Sequence, residues 1–172
     1  YNGLYAIDIS DVKSPSIVGR ITVPPADGKS PSVPISSIAL GDGVVYLSAL
    51  KGGVFAVESK SAKAPTEKKG ILPKNVAFRA EYPSDNKKFF SWKPDRSVQV
   101  RAVAIDGDYA YAACGSEGIV TLKLSDSGFK KVAQMKMPFA GDLKVKNGRL
   151  YAAEGMEGLA VYDIKSPGNF SE

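Results

Sequence analysis

The sequence predicts an all-β fold, an arc of a β-propeller with about two full four-stranded blades and two partial blades. Three observations carry this expectation. One segment recurs along the chain, its apolar residues alternate with a period of two, and an Asp-Gly or Asn-Gly pair breaks the alternation at the same place in each copy.

The recurring segment is "VYLSALKGGVFAVES" from residue 45, "AYAACGSEGIVTLKL" from 110 and "LYAAEGMEGLAVYDI" from 150. Each copy places a tyrosine seven residues before a glycine: Tyr46 and Gly53, Tyr111 and Gly118, Tyr151 and Gly158. The opening "NGLYAIDIS" matches the second half of the unit, with Gly3 in the glycine role. A repeat with a core near 40 residues and insertions of variable length indicates an array of similar units.

Within the unit, "SIALGDGVVYLSAL", "RAVAIDGDYAYAAC" and "DLKVKNGRLYAAE" alternate apolar and small or polar residues around Asp42-Gly43, Asp106-Gly107 and Asn147-Gly148. Glycine lacks a Cβ and Asn or Asp tolerates the left-handed region, so each pair is expected to be a hairpin tip. A second turn falls at "LKGG", "GSEG" and "GMEG". A third precedes "SIVGRITV", "EKKGIL" and "FKKVAQMKM". Four short antiparallel strands per unit result, which is a propeller blade.

In order along the chain, residues 3–23 supply the last two strands of a partial blade and 36–73 a full blade. Residues 74–98 form an insertion, 98–138 a second full blade and 139–164 three strands of a partial blade. Both partial blades contain the third strand, so they do not complete each other. The expected ring is larger and is finished by further blades from the same or another chain. The first residue is Tyr1, which leads us to expect a processed or partial polypeptide.

Composition narrows the chemistry. The 172 residues are 44% hydrophobic, enough for one core-bearing domain, and no window reaches the roughly 18 apolar residues of a membrane span. There is no histidine and one cysteine, Cys114. That excludes a Cys/His zinc site, a Ser-His-Asp triad, a haem attachment motif and a disulfide framework within these residues. No metal, cofactor or catalytic residue is expected here. Cys114 lies in the apolar alternation "YAYAACG" and reads as a small buried hydrophobe. The formal charge of +5 reads mostly as solvated lysines.

The segments "GLYAIDISDVKSPSIVG", "GDYAYAACGSEGIVTLKLSD" and "GLAVYDIKSP" resemble the LVIVD-repeat proteins, whose units run Gly-Leu-x-Val-x-Asp-(Ile/Val)-Ser-(Asp)-Pro after a Gly-x-Tyr-Ala-Tyr-Val-Ala hairpin. The pattern departs at Glu58, which replaces the Asp seen at Asp8 and Asp163, and at Lys123, where the acid is absent. The resemblance implies a propeller, commonly secreted or surface-associated in prokaryotes, with no shared catalytic activity. An extracellular, cell-surface or periplasmic location is the corresponding expectation.

The repeated acids Asp8, Glu58 and Asp163 lie at equivalent points of different blades, too dispersed for one calcium site. Asp8 and Asp163 are expected to cap turns ahead of Ser10 and Ser166. Tyr46, Tyr111 and Tyr151 are expected to pack between blades. Departures from the repeat point to function, since loops vary over a blade scaffold. Two insertions, at 24–36 and 74–98, both read as connections from one blade's fourth strand to the next blade's first, and so as parts of one face beside the channel mouth. The second gathers Phe78, Tyr82, Phe89, Phe90 and Trp92 among Arg79, Lys87, Lys88, Lys93 and Arg96.

Aromatic side chains flanked by Arg and Lys suit a protein interface. The partner-binding set is therefore Arg79, Tyr82, Lys87, Lys88, Phe89, Phe90, Trp92, Lys93 and Arg96. The competing reading folds the aromatics back over their own blade. Nucleic acid is disfavoured because nothing basic outside the loop extends the track. The function expected is a non-catalytic scaffold that binds a partner protein through its insertions. The alternative is a segment or subunit of a redox or hydrolytic enzyme complex whose catalytic groups lie elsewhere.

Overall fold

The computed structural model describes residues 4–21, 34–41, 44–58, 89–92, 94, 98–125, 128–167 and 169–170. They form antiparallel sheets in chain order and no α-helix. The first sheet pairs β1 (Leu4–Asp8) with β2 (Ser16–Ile21). The second runs β3 (Ser37–Gly41), β4 (Val44–Ser48), β5 (Val54–Glu58) and β6 (Phe89–Trp92). The third runs β7 (Ala102–Asp106), β8 (Tyr109–Ala113), β9 (Ile119–Ser125) and β10 (Gly128–Met135). The fourth runs β11 (Asp142–Lys146), β12 (Arg149–Ala153) and β13 (Leu159–Asp163). Short meandering sheets packed face to face in sequence make the chain an arc of a β-propeller.

The period of two sends neighbouring side chains to opposite faces, so each inner sheet is buried twice. Val45 and Leu47 of β4 face back towards Leu4 of β1, while Tyr46 between them faces forward into a layer with Val103, Ala110, Ala112 and Leu122 of the third sheet. Tyr111 of β8 repeats the forward role one blade on, in a layer with Leu143, Leu150 and Tyr162 of the fourth sheet. Tyr111 is wholly buried and Tyr46 nearly so. Tyr151 is half-buried on the forward face of the last sheet, where no further sheet is described.

The hairpin tips follow from local conformation. At Asn147-Gly148 both residues take positive φ, 53° and 68°, and Lys146 pairs with Arg149 across a two-residue loop. That is the conformation an Asn-Gly tip demands. In the third sheet the tip sits one residue later than the Asp106-Gly107 reading. Asp106 pairs with Tyr109, the loop is Gly107-Asp108, and Gly107 carries the positive φ of 51°. The Asp42-Gly43 tip lies outside the described residues.

The edge of the second sheet differs from the sequence reading. The strand paired with β5 is Phe89–Trp92, within the stretch read as an inter-blade insertion. The stretch 67–72, read as the fourth strand, lies outside the described residues. Both stretches carry strand-forming residues next to turn formers, and the repeat spacing favours the earlier one, so sequence pattern alone selects the wrong edge.

The second turn is one device used three times. Cys114 N–H donates to the Gly118 carbonyl at 2.8 Å and Gly118 N–H to the Gly115 carbonyl at 3.0 Å. Equivalent bonds run from Ala49 to Gly53 and from Glu154 to Gly158, at 2.9 and 2.8 Å. The loop needs left-handed backbone at its second residue, where φ is 38° at Leu50, 59° at Gly115 and 64° at Gly155. It also needs it at its last, where Gly118 has φ 80° and a Cβ would run into the Met135 carbonyl.

Candidate interaction face

Consecutive connections in a meander leave alternate ends of the sheet. The loops joining second to third strands therefore share one end with the connections between blades. Backbone bonds tie them together there. Val100 N–H donates to the Leu50 carbonyl at 3.0 Å, and Gly115 and Ala140 exchange two bonds at 3.0 and 2.9 Å. A hydroxyl cluster adds to the first tie: Ser36 Oγ lies 2.9 Å from Ser48 Oγ and 3.0 Å from the Val100 carbonyl, and Ser48 Oγ lies 3.2 Å from the Arg101 carbonyl. Ser48 is fully buried, so these partners satisfy a hydroxyl that would otherwise be costly to bury.

On this inter-blade end, Phe139 of the connection between β10 and β11 rests against three glycines. A Cβ on Gly141 would come 3.0 Å from the Phe139 ring, on Gly155 3.3 Å and on Gly115 3.9 Å. The missing side chains form the seat. The exposed Arg101 guanidinium lies over the same ring, 5.1 Å from its centroid, in a cation–π arrangement. Beside it, Lys136 pairs with Glu117, whose carboxyl the Lys136 hydrogen bond and charge hold below the usual carboxylate range. Gln134 Nε2 donates to the Glu117 carbonyl at 2.8 Å, which holds the pair at the loop. Tyr162 donates to Glu154 Oε1 at 2.6 Å at the next loop of the series. The result is a fixed aromatic ring under a cation, flanked by charges of both signs.

The residues selected from sequence are distributed differently. Arg79, Tyr82, Lys87, Lys88, Lys93 and Arg96, with Phe78, lie outside the described residues. Phe89 and Phe90 are strand residues of β6, paired with Val57 and Ala56. Trp92 pairs with Val54 and packs half-buried against the layer between the second and third sheets. The aromatic at this position therefore folds over its own blade. The chain between Glu58 and Phe89 joins β5 to β6, and those ends lie opposite the inter-blade end. Residues 24–33 and 74–88 of the two insertions lie outside the described residues.

Arg101 and Phe139 were not legible as a pair. They come from different connections, and the glycines that seat the ring come from three segments. The signal in the sequence was Gly115, Gly141 and Gly155 recurring beside strand ends, with "KMPFAGD" carrying the one phenylalanine between β10 and β11.

Asp8, Asp163 and Cys114 fall within the described residues. Asp8 Oδ1 accepts the Ser10 N–H at 2.8 Å and Asp163 Oδ1 the Lys165 N–H at 2.9 Å. Both act as turn caps, and these backbone bonds lower both carboxyls. Cys114 is buried, its Sγ 3.5 Å from the Ala112 carbonyl, and burial pushes the thiol up to about 12. No helix among the described residues is long and apolar enough to cross a membrane.

Sheet order, inter-blade ties and repeated loops define a propeller arc built from one repeating unit. The LVIVD repeat model matches residues 1–23 and 99–127 of the chain. Among solved structures the chain is similar to U3-55K, with 14% identity and a TM-score of 0.53, covering 84% of this chain and 40% of that one. It is likewise similar to the RRP9 WD40 repeats, with 15% identity and a TM-score of 0.53, covering 84% of this chain and 39% of that one. The match thus spans about two fifths of the length of these structures, and at this identity it shows the propeller fold alone. No curated protein matches the sequence.

Proposed function

We propose that the protein is a non-catalytic scaffold that binds a partner protein on the inter-blade end of its blades. The observation that carries this reading is the exposed Arg101 guanidinium held over the Phe139 ring, which is itself locked on three glycines. A pre-positioned aromatic and cation loses little side-chain freedom on binding, which is where interface energy concentrates. The neighbouring Lys136 and Glu117 supply a polar rim. Propeller repeats with WD40-type neighbours fit a scaffold role, and the loops at this end can vary without disturbing the buried layers.

The partner offers a carboxylate to Arg101 and an apolar side chain to the Phe139 edge. An extracellular, cell-surface or periplasmic setting is part of the same reading and is tested by fractionating the native source. The binding reading is tested by Arg101→Glu and Phe139→Ala in affinity purification from that source. Loss of the same co-purifying protein in both, with an unchanged melting temperature for Arg101→Glu, supports it; retention in both overturns it.

A further inference from the structure

The loop between second and third strands carries one residue at its tip in each of three blades: Lys51, Ser116 and Met156, two residues before Gly53, Gly118 and Gly158. All three are exposed. Lys51 and Ser116 are exposed even though a following sheet packs against the forward face of their own, so this position faces solvent within the arc. The tip is polar at the first two loops and a fully exposed thioether at the last. Met156 directly follows Gly155, one of the three glycines that seat the Phe139 ring, where a Cβ would come 3.3 Å from it. Its loop is fixed: Glu154 N–H donates to the Gly158 carbonyl at 2.8 Å, and Glu154 Oε1 accepts the Tyr162 hydroxyl at 2.6 Å. An apolar side chain is thereby held in solvent next to the Arg101–Phe139 pair.

We propose that Met156 is an apolar anchor of the interaction face and its oxidation site: hydrogen peroxide converts it to the sulfoxide, and the sulfoxide releases the partner. The inference rests on the scaffold reading above. A sulfur lone pair takes one peroxide oxygen as the O–O bond breaks, so the thioether is oxidised by two electrons and the peroxide is reduced to water. A methionine sulfoxide reductase reverses the step. The thioether is flexible and polarisable and adapts to an apolar partner surface, whereas the sulfoxide oxygen must be desolvated when the partner covers it. Position sets the selectivity. The chain has three methionines, and Met135 and Met137 pack against the layer between the third and fourth sheets. The one thiol, Cys114, is buried. Met156 is therefore the sulfur that peroxide reaches first in the folded protein.

The test has two readouts on the full 172-residue chain. Peptide mass spectrometry during titration of the purified protein with hydrogen peroxide is expected to show Met156 oxidised before Met135 and Met137. The treated chain, freed of peroxide, is then immobilised and exposed to extract of the native source, and the protein whose capture is lost on Arg101→Glu is quantified. Oxidised wild type is expected to bind it about tenfold or more weakly than untreated wild type, and reductase treatment is expected to restore capture. Met156→Leu, which has no sulfur, is expected to bind equally before and after peroxide, and Met156→Gln to bind weakly in both. Earlier oxidation of Met135 or Met137 overturns the inference alone, as does capture that ignores oxidation or that peroxide abolishes equally in Met156→Leu. Absence of any Arg101-dependent capture by the untreated wild type overturns the scaffold reading, and this inference with it.

Discussion

Val100 donates its backbone N–H to the carbonyl of Leu50 at 3.0 Å, joining the second blade's inner loop to the lead-in of the third blade's first strand. One blade later Ala140 makes the same bond to Gly115 at 2.9 Å. Leu50 is the odd member of the series. It holds φ 38°, where Gly115 and Gly155 use glycine.

Left-handed backbone costs a residue with a Cβ about 1–2 kcal/mol. Leu50→Gly is therefore expected to stabilise the protein by about 1 kcal/mol, against the extra chain entropy of glycine. Urea unfolding monitored by fluorescence checks the sign, and the reverse change Gly115→Leu is expected to shift the midpoint the other way.

Gly118→Ala is expected to be far worse, because it adds a contact with the Met135 carbonyl to the same backbone penalty. A loss of about 3 kcal/mol or more is predicted. If the variant melts within a degree or two of wild type, the close approach of the loop to β10 is wrong.

The Tyr111 hydroxyl is buried without a hydrogen-bond partner among the described residues, whereas its ring fills the layer between the third and fourth sheets. Tyr111→Phe is thus expected to be neutral or stabilising by up to about 1 kcal/mol, and Tyr111→Ala to cost about 3–5 kcal/mol. Thermal unfolding of the two variants side by side separates the hydroxyl from the ring.

The buried Cys114 thiol sets an alkaline limit. Unfolded, it gives up its proton near its ordinary value of 9.0, and folded it holds the proton to about 12. Its contribution is complete below about pH 9 and falls as pH rises towards 12. Cys114→Ala is expected to flatten that part of the stability profile. A thiol reagent at pH 8 should leave native Cys114 intact and label it in denaturant.

Acid acts through the exposed turn caps. The carboxyls of Asp8 and Asp163 are lowered from 3.8 by the Ser10 and Lys165 backbone bonds. What these caps contribute is present above that value and is lost as pH falls through the lower, folded one. The Ser10 and Lys165 amide resonances should titrate together with their carboxyls, with midpoints below 3.8.

Much of the arc was legible because it rests on local rules. Asn147-Gly148 forces its own tip, and Asp8 and Asp163 cap turns two residues away. Tyr46 and Tyr111 pack between sheets because the alternation leaves them facing forward. What escaped depends on placement between segments. Phe89–Trp92 takes the outer edge of the second sheet by pairing with β5, a choice the local pattern does not make. Its consequence is that the aromatic stretch belongs to a blade edge. The Arg101–Phe139 arrangement escaped because three distant glycines create it by lacking side chains.

The most direct test of the scaffold reading is site-specific photo-crosslinking in the native source. One photoreactive residue replaces Ser116, in the loop beside Phe139, and another replaces Asp108, in the hairpin tip at the opposite end of the same sheet. A crosslink from position 116 to one partner protein, lost on Arg101→Glu, with none from position 108, is the predicted result. A partner captured only from position 108, or captured at 116 regardless of Arg101, would contradict it.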